Sequence, residues 1–588
     1  MNPNTPIKSY RYLPVHWIPP ADQKMFDKKE KEKDSPFVTV ADLGGSSEPS
    51  TPKTPLPPSG RPFMYSEQRA VRNYLLKLWH RILSLPLILT PSFLSHRHSK
   101  TPSKSSQTTW LDGLRGIASF IVFFAHYTQA YFPSERWAYD GKFSRYWTQL
   151  PIIRLVYGGH AAVAIFFAIS GFALSLKSVL NLKQQQSEGR SHNLLTMLSS
   201  SMSRRFVRLY LPCAGTFLLV GVFVGFGWFE IVPQGKFGHL TGVVELRPPY
   251  KENIFDQLAW SFWDYYEFIM LPIQGGGSKF IKTYAQETDI HLWTIPVEAK
   301  ESMVLFLTIA AICRFKRWIR LCIIWGLCLV NLFNSNWPRS LFLFGFMMAE
   351  IYTHTPEFRD PIVTLELPNI LSPGLPRGTF EDEEEDEEIG MVLKCVSYMT
   401  TSILTALLFL GLFLASFPEN PPFHRLTTGF TNLLHFIPIQ YEELHRFWIA
   451  IGVMMIMFSI THLHMIQGWL NSKVAQYLGK ISFSLYLVHG TVNRSLGYFF
   501  CHMMWSALGV TTQRNRELNP EVYEDMMILN KLEVRRVAVV FWGFLIVAPV
   551  TIVIADVFWR AVDKPSVKFS RWLERKLVQG ETEKEIPT

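Results

Sequence analysis

The sequence predicts an all-α integral membrane protein, with about ten transmembrane helices following a disordered, cytosolic N-terminal tail. Three observations carry that reading. Hydrophobic residues, 48% of the 588-residue chain, gather into runs of about the ~20 residues that cross a bilayer core. Charged residues are only 18%, below the roughly 25% usual in soluble domains. The basic excess, 58 Lys and Arg against 48 Asp and Glu, collects beside the ends of those runs. Together these exclude a string of soluble domains, a disulfide scaffold and a disordered chain. The six cysteines form no C-x-x-C pair, so no metal site is expected. The first residues lack the apolar core and cleavage site of a signal peptide.

Residues 1–65 are rich in Pro, Ser, Thr and Lys and read as a disordered cytosolic tail, too polar to offset chain entropy. In residues 66–110, Tyr74, Leu75, Leu78 and Ile82 follow helical spacing, while Arg72, Lys77 and Arg81 mark a basic face. This is an amphipathic segment, either on an anionic membrane surface or packed on the protein's own cytosolic face. A transmembrane domain is expected over 111–565. Its spans are placed at 111–132, 160–180, 206–228, 291–313, 317–335, 338–354, 392–416, 446–468, 478–500 and 536–560, each helical because lipid offers the backbone no partners. The aromatic stretch 259–271 reads as an interfacial or re-entrant element, and the acidic run 381–388 as a solvated loop. Residues 566–588 form a basic cytosolic C-terminal tail.

Orientation follows from basic residues beside the spans. Three clusters fall on one side: Arg204, Arg205 and Arg208; Arg314, Lys316, Arg317 and Arg320; and Lys564, Lys568, Arg571, Arg575 and Lys576. That side is cytosolic, with both termini, in an endomembrane (the ER) or the plasma membrane.

The first span carries Asp112, Arg115 and His126. Eleven residues at ~100° each bring Arg115 and His126 to within about 20° on one helix face, roughly 16 Å apart along the axis. A cationic anchor and a titratable base so spaced suit a long substrate with an anionic head, such as an acyl-coenzyme A. Blander readings stand beside this one. Arg115 also suits a snorkelling residue paired with Asp112, and His126 an interhelical hydrogen bond. Arg204, Arg205 and Arg208 suit orientation markers as well as phosphate ligands.

The segment W-L-D-G-L-R-G-I-A-S-F-I-V-F-F-A-H at 110–126 resembles the opening signature of the membrane-bound acyltransferase-3 family, the polytopic O-acyltransferases. Four more stretches match in order: HAAVAIFFAISGFALS (160–175), RRFVRLYLP (204–212), HLWTIPVEAKESMVLFL (291–307) and SFSLYLVHG (482–490). The terminal extension and acidic loop look like those of a fungal-type member. The resemblance implies transfer of an acyl group, acetyl for preference, from acyl-CoA to a hydroxyl of a small molecule, lipid or glycan. It implies His126 as general base, oriented by Glu298, and acyl-CoA binding by Arg115, Arg204, Arg205 and Arg208. Trp293 would line the acceptor pocket, and His489 either lines it too or makes a helix–helix hydrogen bond. Acyl-CoA is then a co-substrate, with no resident cofactor, and the other partners are the hydroxyl-bearing acceptor and the bilayer, without nucleic acid. One departure stands out: Ala299-Lys300-Glu301 replaces the family's common aromatic-Arg-Gly, adding a carboxylate beside Glu298.

Two other classes fit the composition. A transporter would use buried ionisable residues equally well, but no repeated halves are visible. A non-catalytic membrane scaffold would not require Arg115, His126 and Glu298. No G-x-S-x-G elbow points to a serine hydrolase.

Overall fold

The structure is a computed structural model. It describes residues 108–132, 138–139, 146–188, 194–230, 245, 247–274, 287–354, 380–419, 427–508 and 523–578. The expected tail (1–65), nearly all of the amphipathic segment (66–110) and the last ten residues lie outside those residues. No strand occurs among the described residues, and the main helices are α1 (Thr109–Thr128), α2 (Gly159–Glu188), α3 (Leu194–Gly225), α4 (Ile254–Gln274), α5 (Thr294–Ile312) and α6 (Arg317–Phe333). They continue as α7 (Trp337–His354), α8 (Phe380–Ala415), α9 (His445–His462), α10 (Lys473–Val492), α11 (Tyr498–Ala507), α12 (Tyr523–Phe558) and α13 (Lys564–Val578). Short π-helical turns join α10 to α11 and α12 to α13.

Among the described residues, five helical stretches are both long and apolar enough to cross a membrane: Gly159–Gln184, Leu194–Gly225, Cys395–Ala415, His445–His462 and Val534–Leu577. The expected count of ten is not reached on length and apolarity. The shortfall has a physical origin. Helix α6 is only 17 residues long, and α1, α5, α7 and α10 carry ionisable side chains within their lengths, among them the buried Glu301, Glu350 and His489. The buried carboxylates are met inside. Arg320 and Glu350 form a doubly hydrogen-bonded pair between α6 and α7, at 2.8 and 3.1 Å. Glu301, the extra carboxylate, accepts two bonds from Arg339 of α7, at 2.8 and 3.2 Å. Apolar side chains turn outward where lipid would meet them, as with Val537, Phe541, Trp542 and Leu545 on α12 and Trp318 and Trp325 on α6. A surface of this kind is costly in water and costs nothing in hydrocarbon.

One sequence expectation changes. The acidic run is not a loop but the first part of α8. Glu is a good helix former, and extending an existing helix avoids the nucleation penalty. The aromatic stretch 259–271, expected as an interfacial or re-entrant element, forms the body of α4, a 21-residue helix.

Helix α1 buries Trp110, Leu111, Leu114, Ala118 and Val122, the three- and four-residue spacing of a core-facing stripe. It packs closely on α10, where a Cβ on Gly116 would stand 2.3 Å from the Gly479 backbone nitrogen. Gly171 of α2 meets α7 as closely, its Cβ position being 2.2 Å from the Phe342 carbonyl oxygen. Small residues of this kind let membrane helices approach without a hydrophobic driving force. The α1–α10 contact sets His126 at the end of α1 beside His489 on α10.

Candidate active site in two neighbouring cavities

His126 occupies the last turn of α1, one turn before Gln129. Its Nδ1 lies 3.2 Å from Glu245 Oε1, on the connection between α3 and α4. Gln129 Nε2 is 2.8 Å from the same carboxylate oxygen and 2.9 Å from Nδ1. An anionic oxygen outcompetes a ring nitrogen as acceptor, so the amide and the Nδ1–H both donate to Glu245. This tautomer, assigned from the hydrogen-bond network, leaves the lone pair on Nε2. Nε2 makes no hydrogen bond among the described residues.

The carboxylate is itself held. His291, in the 3-10 turn before α5, places Nε2 2.7 Å from Glu245 Oε1 and Nδ1 2.6 Å from Asp289 Oδ1. A neutral imidazole has only one N–H, so a ring facing two carboxylates carries both protons. Asp289 Oδ2 in turn lies 3.2 Å from Arg494 Nη2. The result is a buried chain of alternating charge: Arg494, Asp289, His291, Glu245, then His126. Burial alone would push Glu245 up. The charge on His291 and the hydrogen bonds from both histidines outweigh burial and hold the carboxyl well below its usual range. Asp289 is likewise depressed, with Arg494 and then His291 overcoming burial.

His489 is fully buried, with its ring centroid 5.3 Å from His126 and 4.8 Å from His291. Its Nδ1–H donates to the Tyr486 carbonyl at 2.6 Å, so its Nε2 also carries a lone pair. The ligand atoms of His126, His291 and His489 lie within 4.8 Å of one another, a spacing able to hold a metal ion. In the described arrangement, however, both nitrogens of His291 are engaged by carboxylates. Gly490 completes the packing, since a Cβ there would meet His291 Nδ1 at 2.2 Å.

A cavity of about 410 Å³ opens beside this chain, walled by His126, Gln129, Glu245, His291 and Trp293, with Arg154, His160, Glu419 and Arg446. A second cavity, about 510 Å³, shares Val163 with it and has a different character. Arg115, Arg205, Arg208, Lys480, Lys564, Lys568 and Arg571 line it, against two acidic residues, Glu298 and Asp563. Three of these cations come from α13.

The residues singled out by sequence are therefore divided. His126 and Trp293 line the histidine cavity, and His489 adjoins it. Arg115, Arg205 and Arg208 line the basic cavity. Arg115 also bonds Ser482 at 2.9 Å and pairs with Asp112 at 3.2 Å, the pairing expected of a snorkelling residue. Arg204 pairs with Glu574 of α13 at 2.9 Å and is not in the cavity wall. Glu298 is not brought to His126. It lies in the basic cavity, bonded to Arg205 and to Ser170 at 2.7 Å. The reason is electrostatic: a guanidinium one helix away is a stronger partner for a buried carboxylate than a neutral imidazole. Glu245 and Asp289 went unnoticed in the sequence. Asp289 and His291 do carry a local signal, two ionisable residues at i and i+2 just before a span.

The acyltransferase domain model of the acyltransferase-3 family matches residues 108–560, most of the chain and all of the residues built into the histidine chain. The chain belongs to the acyltransferase-3 family. It is thus a membrane-embedded acyltransferase of non-aminoacyl groups. It is 29% identical to O-acetyltransferase PaAT-1 of Phomopsis amygdali over 84% of this chain and 89% of that protein. It is 28% identical to acyltransferase clz18 of Cochliobolus lunatus, over 70% of this chain and 88% of the relative. Acyltransferase R4 of Phoma sp. is 26% identical over 71% and 89%. No solved structure matches. Residues Lys564, Lys568 and Arg571 lie beyond the family match.

Proposed function

We propose that this acyltransferase moves an acyl group, acetyl for preference, from acyl-CoA in the basic cavity to an acceptor hydroxyl in the histidine cavity. The observation that carries this reading is the pairing of His126 Nδ1 with Glu245 in the wall of this cavity, with Nε2 left unbonded among the described residues. The Nε2 lone pair takes the hydroxyl proton as the oxygen attacks the thioester carbon. Glu245 fixes the tautomer and stabilises the imidazolium that forms. The tetrahedral intermediate collapses with departure of the CoA thiolate, which regains a proton from His126. A positioned base of this kind contributes on the order of 10²–10⁴-fold.

The basic cavity suits the donor. Seven cationic side chains face two carboxylates there, and the guanidinium fork matches phosphate oxygens. Glu298 then orients Arg205 rather than the base. Arg205 and Arg208 meet the 564–571 cluster at this cavity, which supports one shared, cytosolic helix end and entry of the donor from the cytosol, with the protein in the ER or plasma membrane. The test incubates purified protein with labelled acetyl-CoA and hydroxyl-bearing acceptors. Product from the wild type and none from His126→Ala supports the reading. Equal product from both overturns it.

A further inference from the structure

The histidine cavity holds a second feature that acyl transfer does not use. Arg446, in the first turn of α9, is 1% exposed. Its Nε donates to Glu443 at 2.7 Å, but neither Nη1 nor Nη2 has a hydrogen-bond partner among the described residues. The guanidinium lies over two indoles, 4.7 Å from the Trp337 ring and 5.8 Å from the Trp293 ring. These cation–π contacts stabilise its charge and help hold the fork in place while leaving its outer donors unsatisfied. A buried guanidinium lacking acceptors at two of its three nitrogens is costly, and a fixed fork is the geometry that takes a planar anion end-on.

Arg446 lines the same cavity as His126, whose other walls include the apolar Leu155, Val163, Phe417 and Ile449. We infer that the acceptor is a hydroxy acid, with its carboxylate on Arg446 Nη1 and Nη2, its apolar body in the cavity and its hydroxyl toward His126. Glu245 and Glu419 line that cavity too and weigh against a doubly charged phosphate. The inference rests on the acyl-transfer reading only for the name acceptor, because binding of the acid needs no donor.

The test measures binding to the full chain in lipid nanodiscs, without acyl-CoA. The probes are mandelate and para-(hydroxymethyl)benzoate, each against its methyl ester. The acids should bind about tenfold or more tighter than the esters, the scale of a charge-assisted pair. Arg446→Met should bring acid and ester within about twofold, and Arg446→Lys, which keeps the charge without the fork, should fall between. Equal or weaker binding of the acids, a preference that survives Arg446→Met, or no binding of either acid overturns the inference. If Arg446→Met does not fold, the wild-type and Arg446→Lys comparisons still decide it. Failure of the acyl-transfer reading would show separately, as wild type that transfers nothing from acetyl-CoA.

Discussion

Glu245 Oε1 stands 3.2 Å from His126 Nδ1 and 2.7 Å from His291 Nε2. One carboxylate oxygen therefore joins a base to a buried cation. Glu245→Gln keeps the shape and removes the charge, so it should lower kcat by on the order of 10²-fold while the KM for acyl-CoA holds. Steady-state kinetics on the two proteins check this. An equal fall from Glu298→Gln, with the KM for acyl-CoA unmoved, would restore Glu298 as the partner of the base.

Gly490 offers a steric test of the same chain. A Cβ would stand 2.2 Å from His291 Nδ1 and 3.0 Å from Asp289 Oδ1, so Gly490→Ala must displace a ring held on both sides. A cost of about 1–3 kcal/mol is expected, read as a lowered thermal transition, with activity falling further than stability alone explains. A neutral outcome would show that His291 has room the structure does not give it.

The basic cavity predicts changes in the KM for acyl-CoA rather than in kcat. Arg208→Gln or Lys568→Gln should raise the KM for acyl-CoA by about tenfold. Arg204 pairs with Glu574 outside the wall, so Arg204→Gln should loosen α13 and change that KM less. The ranking of the three variants in a CoA-binding assay checks the division. Salt should weaken binding in wild type more than in Lys568→Gln.

Acid should act through the buried carboxylates. The folded Glu245 and Asp289 both titrate below their usual ranges, so each contributes stability that is complete above the unfolded value near 4 and is lost as pH falls toward the folded one. The difference in thermal stability between wild type and Glu245→Gln should be widest near pH 5–6 and shrink below about pH 4 as the carboxylate protonates. It should also narrow toward pH 9, because, against the effect of burial, Glu245 and Asp289 raise His291 to about 9, and that ring deprotonates there. A gap unchanged between pH 6 and 3 would contradict the assignment.

The legible part of the site lay on single helices. Arg115 and His126 share α1, and helical geometry alone puts them on one face, opening into two cavities at different depths. The 204–208 cluster was visible as charge beside an apolar run. Glu245 was not legible. It sits 119 residues from His126 on a connection with no periodicity, and only tertiary packing brings the two together. Glu298 drew notice because it lies in an apolar run, yet spacing within α5 does not reveal Arg205 on α3. The helical class followed from the apolar runs. The number of crossings is less legible, since ionisable groups within α1, α5, α7 and α10 dilute their apolar signal. The acidic start of α8 reads as a loop from its charge, yet Glu is a good helix former and the run extends an apolar helix.

The most direct measurement takes one preparation of His126→Ala in nanodiscs and reads both CoA affinity and acyl transfer. If donor binding and proton transfer reside in separate cavities, the Kd for CoA will stay within about twofold of wild type while transfer falls by at least on the order of 10²-fold. Transfer at the wild-type rate would contradict the role of His126, and loss of CoA binding together with transfer would contradict the separation of the two cavities.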